Sequence, residues 1–235
     1  MSKRRGRSSE GEDAECYEMR IRRVRREPRT SDGYEPIVQE TTRGPVEMRY
    51  YAAPRATRAA VFVGGAGGGF DTPVRGWLYP RLCEQLRDDG IAGLRVRYRH
   101  ANDLEECVLD VLAGISFLDA DGVTSVAVVG HSFGGAVVIQ AAALPPAVRT
   151  CVALSTQTYG ADPAAELGPR CSLLLAHGLA DEVLPPEDGA PHDQRDQRDL
   201  PIGGKSITPP AAGGPHRATE TTERRAQTGG AQRAQ

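Results

Sequence analysis

Long apolar runs, charge of one sign and aromatic residues are all scarce in this 235-residue chain. No apolar stretch approaches the roughly 20 residues that a membrane-spanning helix needs. The basic start MSKRRGRSS leads into acidic residues, not into the hydrophobic core of a signal peptide. The formal net charge is −2, so no global field favours nucleic acid or an anionic membrane surface. Aromatic residues make up 5% of the chain, and the cluster Arg20, Arg22, Arg23, Arg25 and Arg26 has acidic neighbours and no stacking platform, which argues against a nucleic-acid arm. The five cysteines (Cys16, Cys83, Cys107, Cys151 and Cys171) show no C-x-x-C spacing and mostly sit in apolar patterns. That excludes a disulfide frame or zinc site and reads as buried thiols of a reducing, cytoplasmic compartment.

What is present is organised in three parts. Residues 1–33 read as a charged, disordered leader, in which only the stretch from Tyr17 to Val24 could add an edge strand. Residues 34–186 read as one α/β domain. IVQET and VEMRYYA alternate in polarity and flank the turn Arg43-Gly44-Pro45, as an antiparallel hairpin does. AAVFVGG is an apolar strand, Leu78, Leu82 and Leu86 with Trp77 mark a helix closed by Asp89-Gly90, IAGLRVRY is a strand, and Leu104 to Leu118 has helical periodicity. VRTCVALS and RCSLLLAH add two buried strands. Strand and helix alternation after a hairpin predicts a mostly parallel sheet covered on both faces. Residues 187–235 hold only Leu200, Ile202 and Ile207 as large aliphatics and no aromatic residue. They read as a low-complexity tail, disordered or the product of a frame shift, that lacks the apolar surface for a further strand and helix and would leave the last sheet edge open.

Chemistry concentrates where residues 125–137 read SVAVVGHSFGGAV. Ser132 lies between Gly130 and Gly134, after a β-branched strand and before a small-residue helix, which is the signature of a nucleophile elbow. Flanking side chains would collide in so sharp a turn, and the helix aims its amino end at the hydroxyl, where an oxyanion would form. The glycine-rich run from Val63 to Gly69 follows an apolar strand and can bring a backbone N–H beside that of Phe133. A dinucleotide fingerprint fails here because Phe70 stands where a small residue is required, and no Gly-Lys-Ser/Thr of a phosphate loop is present. In SLLLAHGLADEVLPP, Asp181 follows a strand end and falls at the carboxyl edge where the elbow opens. It leads Glu182 and Asp162 as the acid that would orient a base.

GHSFGG, the glycine-rich loop and HGLADEVLP together resemble an α/β-hydrolase, in particular the small capless, dienelactone-hydrolase-like or serine-aminopeptidase-like group, from about Tyr34 to Pro186. The resemblance implies the α/β-hydrolase fold and a nucleophile-acid-histidine order with Ser132 as nucleophile, Asp181 as acid, and the N–H groups of Phe133 and Ala66 as oxyanion donors. It further implies a small ester, thioester or amide substrate and no metal or organic cofactor. The family places its histidine on a loop about 25 to 35 residues after the acid. His131 and His177 belong to strand-end motifs, His100 precedes a helix on the wrong side of the order, and His192 follows Asp181 too closely. His216, after KSITPPAAGGP, is the candidate base, and without it the chain would be a hydrolase-fold binding protein with impaired catalysis.

Overall fold

A computed structural model of the chain describes residues 18–74, 76–178 and 181. The hairpin strands are β2 (Glu35–Thr41) and β3 (Gly44–Tyr51), preceded by β1 (Ile21–Arg26). Then follow β4 (Arg58–Val63), α1 (Leu78–Asp88), β5 (Ala92–Val96), α2 (Leu104–Ala120), β6 (Ser125–His131), α3 (Phe133–Ala143), β7 (Val148–Leu154) and β8 (Ser172–Ala176). One sheet runs β1-β2-β3-β5-β4-β6-β7-β8, with β1, β2 and β3 antiparallel to their neighbours and the rest parallel. This is the mostly parallel, hairpin-led α/β-hydrolase sheet that the sequence predicts. The expected C-terminal tail, with His192, His216 and Glu182, lies outside the described residues.

Two findings concern the ends of the sheet. The sheet starts before Tyr34: β1 pairs in antiparallel register with β2, Arg25 opposite Val38, and supplies the edge strand that the stretch from Tyr17 to Val24 could add, with its bounds at Ile21–Arg26. Its six residues are all exposed, so it adds backbone hydrogen bonds with little burial, which is why hydrophobic periodicity reports it poorly. At the other end, β8 was expected to be a buried strand. It pairs with β7, and Leu174 and Leu175 are 36% and 40% exposed. Apolar composition alone does not distinguish a core strand from one at the edge of the paired set.

Among the described residues, two helices cover one face of the sheet and one covers the other. Helices α2 and α3 pack against one face, where Val61, Leu94, Val111, Leu118, Val128, Val137 and Cys151 form the main core. On the other face α1 brings Tyr79 and Cys83 onto Tyr51, Ala60 and Phe62. Gly93 is required there, because a Cβ would stand 2.7 Å from the Cys83 sulfur. Burial pushes the Cys83 and Cys107 thiols up to about 12, in keeping with their reading as inert core residues.

Strand order fixes where a site can form. The chain leaving β4 turns through α1 on one face towards β5, while the chain leaving β6 turns through α3 on the other face towards β7. Neighbouring strands whose exits diverge open a crevice at their carboxyl ends. Gly64 and Ser132 are the first residues out of those two strands. The exit of β5 is held by a buried ion network: the Arg99 guanidinium donates to Asp110 and, at 2.7 Å, to Glu106, both on α2. Arg43, from the β2–β3 turn, donates to Glu106 as well, so hairpin, β5 exit and α2 are tied together.

Candidate active site at the β4–β6 crevice

Ser132 has φ 56° and ψ −125°, a backbone conformation that L-residues rarely adopt. Its neighbours explain how the strain is maintained. A Cβ on Gly130 would overlap the Gly134 carbonyl, one on Gly134 would overlap the Gly64 carbonyl, and one on Gly135 would overlap the Thr156 hydroxyl. The three glycines therefore let the elbow close against itself, against the exit of β4 and against the exit of β7. The Ser132 N–H donates to the Leu154 carbonyl at 2.9 Å, which continues the β6–β7 pairing into the turn. Its side chain makes no capping hydrogen bond to α3, so the hydroxyl is not consumed by the helix it begins.

The glycine-rich loop stands beside this serine. A Cβ built on Gly65 would lie 3.4 Å from the Ser132 Cβ. Ala66, the next residue, is exposed, and Phe133 is buried as the first residue of α3. Among the described residues neither N–H donates to a backbone carbonyl outside its own element. The loop folds back on its own strand, where a Cβ on Gly64 would meet the Asp71 Cβ at 2.8 Å.

Asp181 is the other candidate that the structure describes. It follows β8 at the same carboxyl edge, half-buried, with its Oδ2 3.7 Å from the Nε2 of His177 and its N–H donating to the Gly178 carbonyl at 3.2 Å. Pairing places His131, Leu154 and Ala176 side by side, so His177 and Ser132 leave the sheet in register on strands separated by β7. At about 4.8 Å per strand that is roughly 10 Å between backbones. Asp162 is exposed on a short 3-10 turn (Asp162–Glu166), and His100 is exposed before α2. Within the described residues the structure thus brings together Ser132, Phe133 and Ala66, and brings Asp181 to His177.

Three contributors carry no local sequence signal. Tyr98 closes the gap between the loop and the elbow, its hydroxyl donating to the Gly64 carbonyl at 3.3 Å and its ring meeting Phe133 edge-on at 6.2 Å. Thr156 supports Gly135 from the β7 exit. Among the described residues the buried Nδ1 of His131 finds no hydrogen-bond partner, and it lies 3.8 Å from the Cβ position of Gly65. All three act across strands, and short-range patterning registers only the strand ends on which they sit. No three His, Cys, Asp or Glu side chains among the described residues converge on a metal-holding site, and no described helix is long and apolar enough to cross a membrane.

Solved structures share this architecture. The acetyl xylan esterase from Paenibacillus sp. R4 superposes with a TM-score of 0.55 at 15% identity, over 71% of this chain and 76% of that one. The esterase Pf2001 from Pyrococcus furiosus gives 0.54 at 16% identity, over 69% and 81%. The esterase domain of a Rhodothermus marinus protein gives 0.53 at 19% identity, over 66% and 80%. No curated protein matches the sequence. The model of the alpha/beta hydrolase family matches residues 60–232, well over half of the chain. With the sheet order, the elbow and this match in agreement, the chain belongs to the alpha/beta hydrolase family.

Proposed function

We propose that this protein is a serine hydrolase that cleaves a small ester, thioester or amide through an acyl-serine intermediate. The Ser132 hydroxyl adds to the acyl carbon and gives its proton to His216, which Asp181 orients. The carbonyl oxygen becomes an oxyanion that accepts hydrogen bonds from the N–H groups of Phe133 and Ala66. When the tetrahedral adduct collapses, His216 returns the proton to the departing alcohol, thiol or amine. Water, deprotonated by the same histidine, then releases the acid and restores Ser132.

The observation that supports this most directly is the 3.4 Å between the Gly65 Cβ position and the Ser132 Cβ. It sets a loop with a free N–H against a strained serine whose side chain is not used for capping. A fluorophosphonate probe tests the reading: wild type is expected to be labelled, and labelling that persists in Ser132→Ala overturns it. The position of His177 next to Asp181 favours a second reading, in which that carboxylate serves a strand-end histidine and the chain binds acyl compounds with impaired turnover. Ester hydrolysis unaffected by His216→Ala supports the second reading, and a loss of about 10³-fold or more supports the first.

A further inference from the structure

We propose that Tyr98 is a positioning residue that holds the two oxyanion donors in register with each other. The inference rests on the acyl-serine reading for its catalytic consequence and on geometry alone for the clamp itself. Tyr98 stands two residues beyond the end of β5 and is 5% exposed. Its hydroxyl donates to the carbonyl of Gly64, two residues before Ala66, and its ring packs edge-on against Phe133 at an interplanar angle of 84°. A Cβ on Gly134 would stand 3.1 Å from that same hydroxyl. One buried side chain therefore touches the root of the loop that carries one donor and the elbow that carries the other.

The loop needs such an anchor. Among the described residues, Gly67 and Gly69 have no heavy atom beyond their chain neighbours within 4 Å of a Cβ position, and the turn within the loop is closed by a 3.3 Å bond from the Gly68 N–H to the Gly65 carbonyl. Glycine gives this segment the widest backbone freedom available to a chain, so its mean position follows its attachments. Burial raises the Tyr98 phenol well above its ordinary value, so it stays protonated and able to donate at neutral pH. Donors aimed at a developing oxyanion lose effect when displaced, by up to about 10²-fold for a shift of about 1 Å. Removing the Tyr98 hydroxyl should therefore act on the transition state more than on substrate binding.

The test compares full-length wild type with Tyr98→Phe, which keeps the ring against Phe133, and uses p-nitrophenyl acetate as probe. Ser132→Ala serves as the blank. The expected result is a kcat reduced about 10- to 100-fold with KM within about twofold. In parallel, amide hydrogen exchange is expected to quicken several-fold at the bonded amides of the two turns, Gly68 in the loop and Gly135 at the elbow, with β4 and β6 unchanged. A kcat within about twofold of wild type overturns the proposal, as does exchange that stays unchanged in the loop or quickens across the whole sheet. If wild type shows no Ser132-dependent turnover, the acyl-serine reading fails while the exchange experiment still decides whether Tyr98 clamps the loop. Tyr98→Leu, which also removes the ring contact, should quicken exchange at Gly135 further than Tyr98→Phe; equal exchange there argues against the ring as part of the clamp.

Discussion

Strands β6 and β8 both end at the carboxyl edge of the sheet, and each leads to one residue of the proposed mechanism, Ser132 and Asp181. They are held in different ways. β6 has β4 on one side and β7 on the other, and at its end three glycines close the turn against backbone and against Thr156. β8 pairs with β7, exposes Leu174 and Leu175, and leads to Asp181, whose carboxylate sits at ion-pair distance from His177. The proposed nucleophile is thus held by steric closure, in which almost any added atom collides, whereas the proposed acid follows a half-exposed strand end. Geometry on the first side is specified by the backbone, and on the second by side chains.

The largest effect should come from breaking the closed side chemically. Ser132→Ala is expected to lower ester hydrolysis by about 10⁴-fold or more while leaving thermal stability unchanged or slightly raised, since it removes the nucleophile. The readouts are steady-state hydrolysis and a melting curve. A variant that keeps more than a tenth of wild-type activity would move the chemistry away from the crevice. Next comes Asp181→Asn, expected to reduce kcat by about 10²- to 10⁴-fold through loss of base orientation. His177→Ala is the control for the same carboxylate. With roughly 10 Å between the backbones of His177 and Ser132, it should cost less than about tenfold. Equal losses in the two variants would make His177 the functional partner of Asp181 and displace His216.

What the sequence reveals follows the same division. Val126 to Gly135 are legible because strand, turn and helix cap are all encoded within a dozen residues, and the observed β6, elbow and α3 agree with them. The hairpin and helices α1 and α2 are legible for the same reason, from alternation around Gly44 and from the Leu78, Leu82, Leu86 spacing. Tyr98 is not, because its role depends on β4 and β6 lying next to each other, and no local pattern states that neighbour relation. β1 is legible only as an optional edge strand from Tyr17 to Val24 because IRRVRR buries nothing, and β8 is overestimated as a buried one because SLLLA has the composition of a core strand. Among the described residues the two outermost strands differ in kind: β1 carries arginines that protect an edge, whereas β8 carries leucines and no charge.

The contrast can also be broken by stability. Gly130→Ala forces a Cβ into the Gly134 carbonyl, and relief requires moving the elbow or β6. A loss of about 3 kcal/mol is expected, typical of overpacking at a site that cannot relax, together with loss of hydrolysis. For a domain of this size that corresponds to a melting temperature lower by roughly 6 to 12 °C.

The smallest effect is expected at β8. Leu174 is 36% exposed in the folded chain, so truncation to alanine removes contacts on one side of the side chain only. Leu174→Ala should therefore cost less than about 1 kcal/mol, against the 2 to 5 kcal/mol usual for a fully buried leucine. Denaturant unfolding at matched protein concentration measures it. A small loss keeps the distinction between a sterically closed nucleophile and an acid on a lightly packed strand, and predicts that substitutions on β8 shift activity through Asp181 more than through the fold. A loss near 3 kcal/mol would instead make β8 a core strand, as its sequence alone suggests. The acid would then be as firmly placed as the serine, and the difference between the two sides would reduce to which residues each presents.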